Sequence, residues 1–194
     1  MTDYITENQN GIIEIVQRGA QGITGASGTV NTGWATYVDT DFPDSDNAFT
    51  VSANVDTALP NNAGSKIETQ MPLDIDEFYN VPSDYNGNTN RNATITGRSG
   101  DNLDVMIYFK AVPSSSTQYI DIWVDIGGST GELYRQTFSF PKGAGAERGI
   151  LYALPSAYTL STWQENGAVI YIRTNHDLDI YSINFNFDRS HKAR

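Results

Sequence analysis

The sequence predicts an all-β protein, a jelly-roll-like antiparallel β-sandwich over residues 34–194 preceded by an extended N-terminal segment. Two stretches alternate apolar and polar residues with the two-residue period of a half-buried strand. Leu103, Val105, Ile107, Phe109 and Ala111 share one face of the first, and Ile120, Ile122, Val124 and Ile126 share one face of the second. Between such runs stand clusters of Gly, Asn, Asp, Ser and Pro, the residues that make turns. Helical periodicity is almost absent, and about eight to ten strands of this kind suit a sandwich or jelly roll.

From the N-terminus, residues 1–18 are a polar lead and then a short apolar stretch with Ile12, Ile13, Ile15 and Val16. That stretch is too short for a core helix and has the length of a strand added to a partner's sheet, so it is expected to dock the chain on a larger particle. Gly19, Gly22, Gly25 and Gly28 follow at every third position, although Gly is only 17 of the 194 residues. Composition alone does not produce that register. Glycine at every third residue is the collagen period, in which three chains wind together and only a hydrogen fits at their axis. Residues 19–33 are therefore expected to form a trimeric stem, with a Gly/Ser/Thr linker as the alternative. About three triplets without Pro cannot hold a triple helix, so trimer contacts are expected mainly from the following domain.

Strands are expected at 36–38, 48–55, 66–71, 92–96, 103–112, 119–126, 132–140, 150–154, 168–174 and 178–187. The Gly-rich loop Gly127–Gly131 joins two of them as a hairpin. In the last, Leu178 and Ile180 take one parity, while Tyr181, Ile183, Phe185 and Phe187 take the other, which predicts a bulge near Ser182. Residues 80–100, rich in Asn, Ser, Gly and Thr, are expected to form a long exposed loop with little core, a place to grip a partner.

A chain of this length buries roughly 70% of its unfolded surface, enough for one main domain without disulfides or metals. The net charge of −11 disfavours nucleic acid and anionic membranes as partners. The lack of Cys removes thiolate metal sites and thiol nucleophiles. No apolar run approaches the roughly 20 residues that span a bilayer, and the start Met1–Glu7 lacks the regions of a signal peptide, so synthesis in the cytoplasm is expected.

Chemistry is expected to be absent: no catalytic residue, no cofactor and no metal. Gly127-Gly128-Ser129-Thr130-Gly131 matches the Gly-x-Ser-x-Gly elbow and His176 lies downstream, but an elbow needs a helix after it and here a strand follows. Asp39, Asp41, Asp44 and Asp46 gather four carboxylates without the Gly and bidentate Glu of an EF-hand, and a solvated acidic turn is preferred to a Ca²⁺ site. Asp74, Asp76 and Glu77, with Asp177 and Asp179, read as strand-end charge and not as a glycosidase pair. Gly143–Gly149 has the wrong spacing for a dinucleotide loop. Trp34, Tyr37, Trp123 and Trp163, with Tyr158, are the candidates for stacking on sugar rings.

The segment Arg18–Gly28 resembles the Gly-x-y connectors of bacteriophage head fibres, capsid decorations and tail-fibre tips, and residues 168–187 resemble a fibre-tip β-domain. The arrangement is also similar to the trimeric jelly rolls of the tumour-necrosis-factor and complement type. The phage resemblance implies a non-enzymatic, homotrimeric virion protein. It would dock through residues 1–18 on capsid or tail proteins and project its β-domain for adhesion, with host-surface glycans as partners. A monomeric or dimeric carbohydrate-binding module is the competing expectation.

Overall fold

The computed structural model describes residues 5–7, 13–15, 32–68, 71–87, 93–140 and 144–192, the first two spans as backbone only. In chain order the strands are β1 (Ile5–Glu7), β2 (Ile13–Ile15), β3 (Gly33–Val38), β4 (Phe49–Val51), β5 (Thr57–Ala58), β6 (Ser65–Glu68), β7 (Tyr79–Asn80), β8 (Thr94–Ile95), β9 (Asn102–Pro113), β10 (Tyr119–Asp125), β11 (Glu132–Ser139), β12 (Arg148–Tyr158), β13 (Val169–Thr174) and β14 (Leu178–His191). A short helix, α1 (Ser161–Asn166), separates β12 from β13.

Two antiparallel sheets face each other. One has the order β12-β9-β14-β3-β6, with β4 also on β14, and the other has the order β11-β10-β13-β5. The chain passes between sheets from β9 to β10, from β11 to β12, from β12 to β13 and from β13 to β14, the jelly-roll pattern. β14 lies in the middle of its sheet, between β9 and β3. The pleat sends alternate side chains inward, so Leu103, Val105, Ile107, Phe109 and Ala111 of β9 meet Ile120, Ile122 and Val124 of β10 in one core, all without solvent exposure.

The expected bulge is present. Ser182 has φ +53°, and the β14–β9 register shifts between Tyr181 and Asn184. The extra residue lets Leu178 and Ile180 before it, and Ile183, Phe185 and Phe187 after it, all face the core. Tyr181 is corrected to the outer face, opposite Lys110. β14 also runs past its expected end at Phe187 to His191, because the Arg189 side chain is wholly buried and paired with Asp101 at 3.0 Å and Asp74 at 2.7 Å. Lys192 reaches the same Asp74 carboxylate at 3.0 Å.

The strand expected at 92–96 is present at Thr94–Ile95, and the described residues on either side of 88–92 carry more core than the expected loop. Tyr79–Asn80 pairs with Thr94–Ile95, and Ile95 exchanges backbone hydrogen bonds with Ala168. Ala93 and Ile95 are buried in the core. What holds this segment down is Trp163 of α1, which is fully buried and donates its indole N–H to the Ile95 carbonyl at 3.0 Å. A Cβ on Gly97 would stand 2.6 Å from Cδ1 of that ring, so only glycine fits there.

Of the N-terminal segment, β1 and β2 form an antiparallel ribbon with Ile5 opposite Ile15 and Glu7 opposite Ile13. The stem glycines Gly19, Gly22, Gly25 and Gly28, and the docking residues Ile12 and Val16, lie outside the described residues; Ile13 and Ile15 are described as backbone in β2.

Candidate functional site

The outer faces of the two sheets carry different chemistry, and the sheet register shows why. On the six-stranded sheet, Ala153, Met106, Asn186, Thr36 and Ile67 stand side by side across five strands. The neighbouring row is Leu151, Tyr108, Asn184, Val38 and Ser65. Neither row holds a charge, in a chain of net charge −11. Leu151 is 55% exposed, Ile67 56%, and Met106 and Tyr108 39% each, so this belt is apolar and open to solvent. Asp104, Asp188 and Trp34 border it where β3 begins, and Lys110 and Tyr181 border it on the other side. The sequence already held this pattern in the outward parity of β9 and β12, but which residues align across strands depends on register and could not be read.

The outer face of the four-stranded sheet is polar and has a built feature. The β10–β11 register shifts between Ile122 and Val124, so that Tyr134 and Arg135 together oppose Trp123. Tyr134 takes φ +57° at this bulge, which re-aims Arg135. Its guanidinium lies 4.0 Å from the centre of the Trp123 ring and is held there by Glu132 and by Asp121, the latter at 3.0 Å. On the opposite side of Trp123, Tyr171 stacks at 5.7 Å with 15° between the rings. Trp123 is covered as a result, although its parity points it outward as expected.

Beside this stack lies a cleft of about 330 Å³ lined by Asp56, Trp123, Asp125, Glu132 and Tyr171. Asp125 and Glu132 are directly opposed across β10 and β11. The Arg135 guanidinium holds the Glu132 carboxyl below the usual carboxylate range. Burial, reinforced by Asp125 and Asp56, raises the Tyr171 phenol. Asp56 is bridged by Arg173 at 3.0 Å, and Asp125 accepts the Gly127 N–H at 2.7 Å.

The other sugar-stacking candidates separate. Trp34 is 37% exposed and lies on the outer face of the six-stranded sheet opposite Asp188, not at the cleft. Tyr37 is a core residue, its hydroxyl donating to Glu77 at 2.7 Å and accepting from the Phe78 N–H at 3.1 Å. Burial, with Glu77 adding to it, pushes that phenol well up. Trp163 is sealed by Gly97 and Ile95, so neither Tyr37 nor Trp163 offers a ring to a ligand. Tyr158 is exposed at the end of β12.

Ser129 and His176 do not meet. Ser129 sits in the loop after Asp125, whereas the His176 carbonyl is held by Gln118 at the start of β10. The length of β10 therefore separates them by about 20 Å. In the acidic loop, Asp39 is buried and accepts the Phe42 and Asn62 N–H groups at 2.7 and 2.8 Å, while Asp44 caps the 3-10 turn Ser45–Asn47. Asp177 accepts from the Ala53 N–H and Asp179 from the Thr50 hydroxyl. Among the described residues, no group of three His, Asp or Glu is arranged to hold a metal ion.

No family model matches the chain, and no curated protein is similar to it in sequence. Among solved structures it is similar to the Eiger TNF of S. frugiperda, at a TM-score of 0.49 and 10% identity over 84% of this chain and 95% of that one. It is also similar to the PRD1 vertex protein P5, at 0.39 and 12% over 84% and 99%. A third likeness is to a chain of infectious bursal disease virus, Gx strain, at 0.28 and 12% over 95% and 63%.

Proposed function

We propose that this chain is a non-enzymatic structural protein of a bacteriophage particle, a homotrimeric head fibre or capsid decoration. In this reading residues 1–18 dock on the particle, residues 19–33 form the stem, and the sandwich projects for adhesion. The observation that carries it is the uncharged, partly apolar belt of two side-chain rows across the outer face of the six-stranded sheet. Three acidic chains repel one another, and they associate most readily where neither partner brings charge. The stem adds a geometric reason. Gly28 is five residues from Gly33, a reach of at most about 17 Å, so three wound stems bring three copies of β3 close to one axis. β3 belongs to that sheet and contributes Thr36 and Val38 to that face.

The test is solution mass by light scattering on the full chain and on Met106→Glu with Leu151→Glu. One chain is 21.3 kDa, so a trimer weighs about 64 kDa, the stoichiometry of the glycine period. A trimer that falls to monomer in the charged variant, with an unchanged thermal midpoint, supports the reading. A monomeric parent chain overturns it.

A further inference from the structure

The uncharged belt has two unlike ends, and each reaches an edge strand of the larger sheet. At one end Met106 and Tyr108 of β9 and Leu151 of β12 make a broad apolar patch, while at the other Ile67 of β6 protrudes alone. We infer that these ends meet between copies: the β6 edge of one protomer, led by Ile67, packs on the Met106, Tyr108 and Leu151 patch of the next. This rests on the trimer proposed above and names the two surfaces that join within it.

Symmetry supplies one reason. Away from a three-fold axis a surface cannot match itself, so each contact joins two different patches and the ring closes when the third copy returns to the first. Ile67 and the patch lie three to four strand spacings apart, about 14–20 Å, so one chain cannot bring them together and two chains can. The sheet edges supply another reason. β12 is guarded: Gln136 of β11 donates its side-chain amide to the Ala153 carbonyl at 3.0 Å, and Pro155 with the φ +56° bulge at Ser156 interrupts the strand. Among the described residues β6 pairs with β3 alone, and all four of its residues are exposed, so its outer row of backbone N–H and C=O groups is open. The middle of the belt suits such an edge. Asn184, Asn186 and Thr36 are neutral yet donate and accept hydrogen bonds, where a wholly apolar surface would leave an arriving backbone unsatisfied. Lys66 and Glu68 take the parity opposite to Ile67, and Lys66 is bridged to Glu68 at 3.0 Å and to Glu77 at 2.6 Å, so the charges of β6 are held on the side away from the belt.

Disulfide cross-linking tests it, since the chain has no Cys of its own. Full chains carrying Ile67→Cys are co-expressed with full chains carrying Leu151→Cys or Met106→Cys, oxidised mildly and run without reductant. The positions are too far apart for a disulfide within one chain, so a bond between them joins two copies. The expected product is a covalent dimer of about 43 kDa containing both variants, at about tenfold the yield from either variant alone. Ile67→Cys and Leu151→Cys placed in one chain are expected to give a closed covalent trimer of about 64 kDa. Ile67→Glu is expected to release monomer as fully as Met106→Glu with Leu151→Glu does, with an unchanged thermal midpoint. Three outcomes overturn the inference and leave the trimer standing: bonds formed as readily within one variant as between two, a trimer that forms no bond from position 67 to either 151 or 106, and a trimer that survives Ile67→Glu. A monomeric parent chain removes the inference and the trimer together.

Discussion

Arg189 and Asp101 form an ion pair at 3.0 Å in which neither side chain reaches solvent, at the end of the strand that runs through the middle of the larger sheet. Asp74 closes the other side of the guanidinium. A buried pair of this kind is costly to assemble, but removing one partner strands the other charge in a low dielectric. Arg189→Ala is expected to cost about 3–5 kcal/mol, measured by urea denaturation. A loss under about 1 kcal/mol would mean that water reaches Asp101 in the folded chain.

The same cluster sets an acid limit. Hydrogen bonding from Arg189, with Lys192 adding to it, holds the Asp74 carboxyl below the usual carboxylate range. A depressed pKa gives stability that is present above the unfolded value of about 4 and is lost as pH falls below it. The thermal midpoint of the parent chain is expected to exceed that of Asp74→Asn at pH 7, with the gap closing as pH is lowered from about 4.

Asp188 has the opposite sign. Burial raises its pKa, as does Asp104 directly across the sheet. Its charge therefore opposes folding at neutral pH, and the penalty fades as pH falls through the carboxylate range. Asp188→Asn is expected to stabilise the fold by up to about 1 kcal/mol at pH 7 and to do nothing once both carboxyls are protonated, as measured by midpoints at the two pH values.

Gly97→Ala should be costly despite the small change. The added methyl lands 2.6 Å from the Trp163 ring, and that ring is fixed by its bond to Ile95. A loss of about 1–3 kcal/mol is expected in chemical denaturation, with a shift in Trp fluorescence if the ring moves.

At Ser182 the left-handed backbone decides. A β-branched side chain is disfavoured at φ +53°, so Ser182→Val is expected to cost about 1–2 kcal/mol, and Ser182→Gly much less. Equal losses in the two variants, compared by thermal melts, would place the cost in the lost Ser182–Pro43 hydrogen bond instead.

Much of the sandwich was legible because its strands alternate cleanly: β9, β10 and the break of parity at Ser182 follow from side-chain period alone. Tyr37 could have been placed correctly by the same rule, since Ala35 and Tyr37 share the inward parity while Trp34 and Thr36 face out. Its aromatic character suggested a ligand platform, and aromaticity does not say which side of a sheet a ring takes. Trp163 was unreadable for another reason: α1 is six residues long, too short to show a period. Arg189 continues the inward parity of Phe185 and Phe187, yet a charge there reads as the end of a strand until Asp74 and Asp101, distant in sequence, are brought beside it. The cleft was half visible. Trp123 was marked, but Tyr171, Asp56 and Glu132 join it only through cross-strand register and the bulge at Tyr134.

The position of β14 has a consequence for how the protein is made. Its neighbours β9 and β3 are translated long before it, and each must wait with an unsatisfied backbone edge until the ribosome has delivered residues 178–191. The larger sheet therefore cannot be completed during synthesis, and contacts so distant in sequence form slowly. In that interval the open edges invite strands from neighbouring nascent chains, so nonsense or frameshift products lacking β14 should accumulate as aggregates and not as soluble fragments.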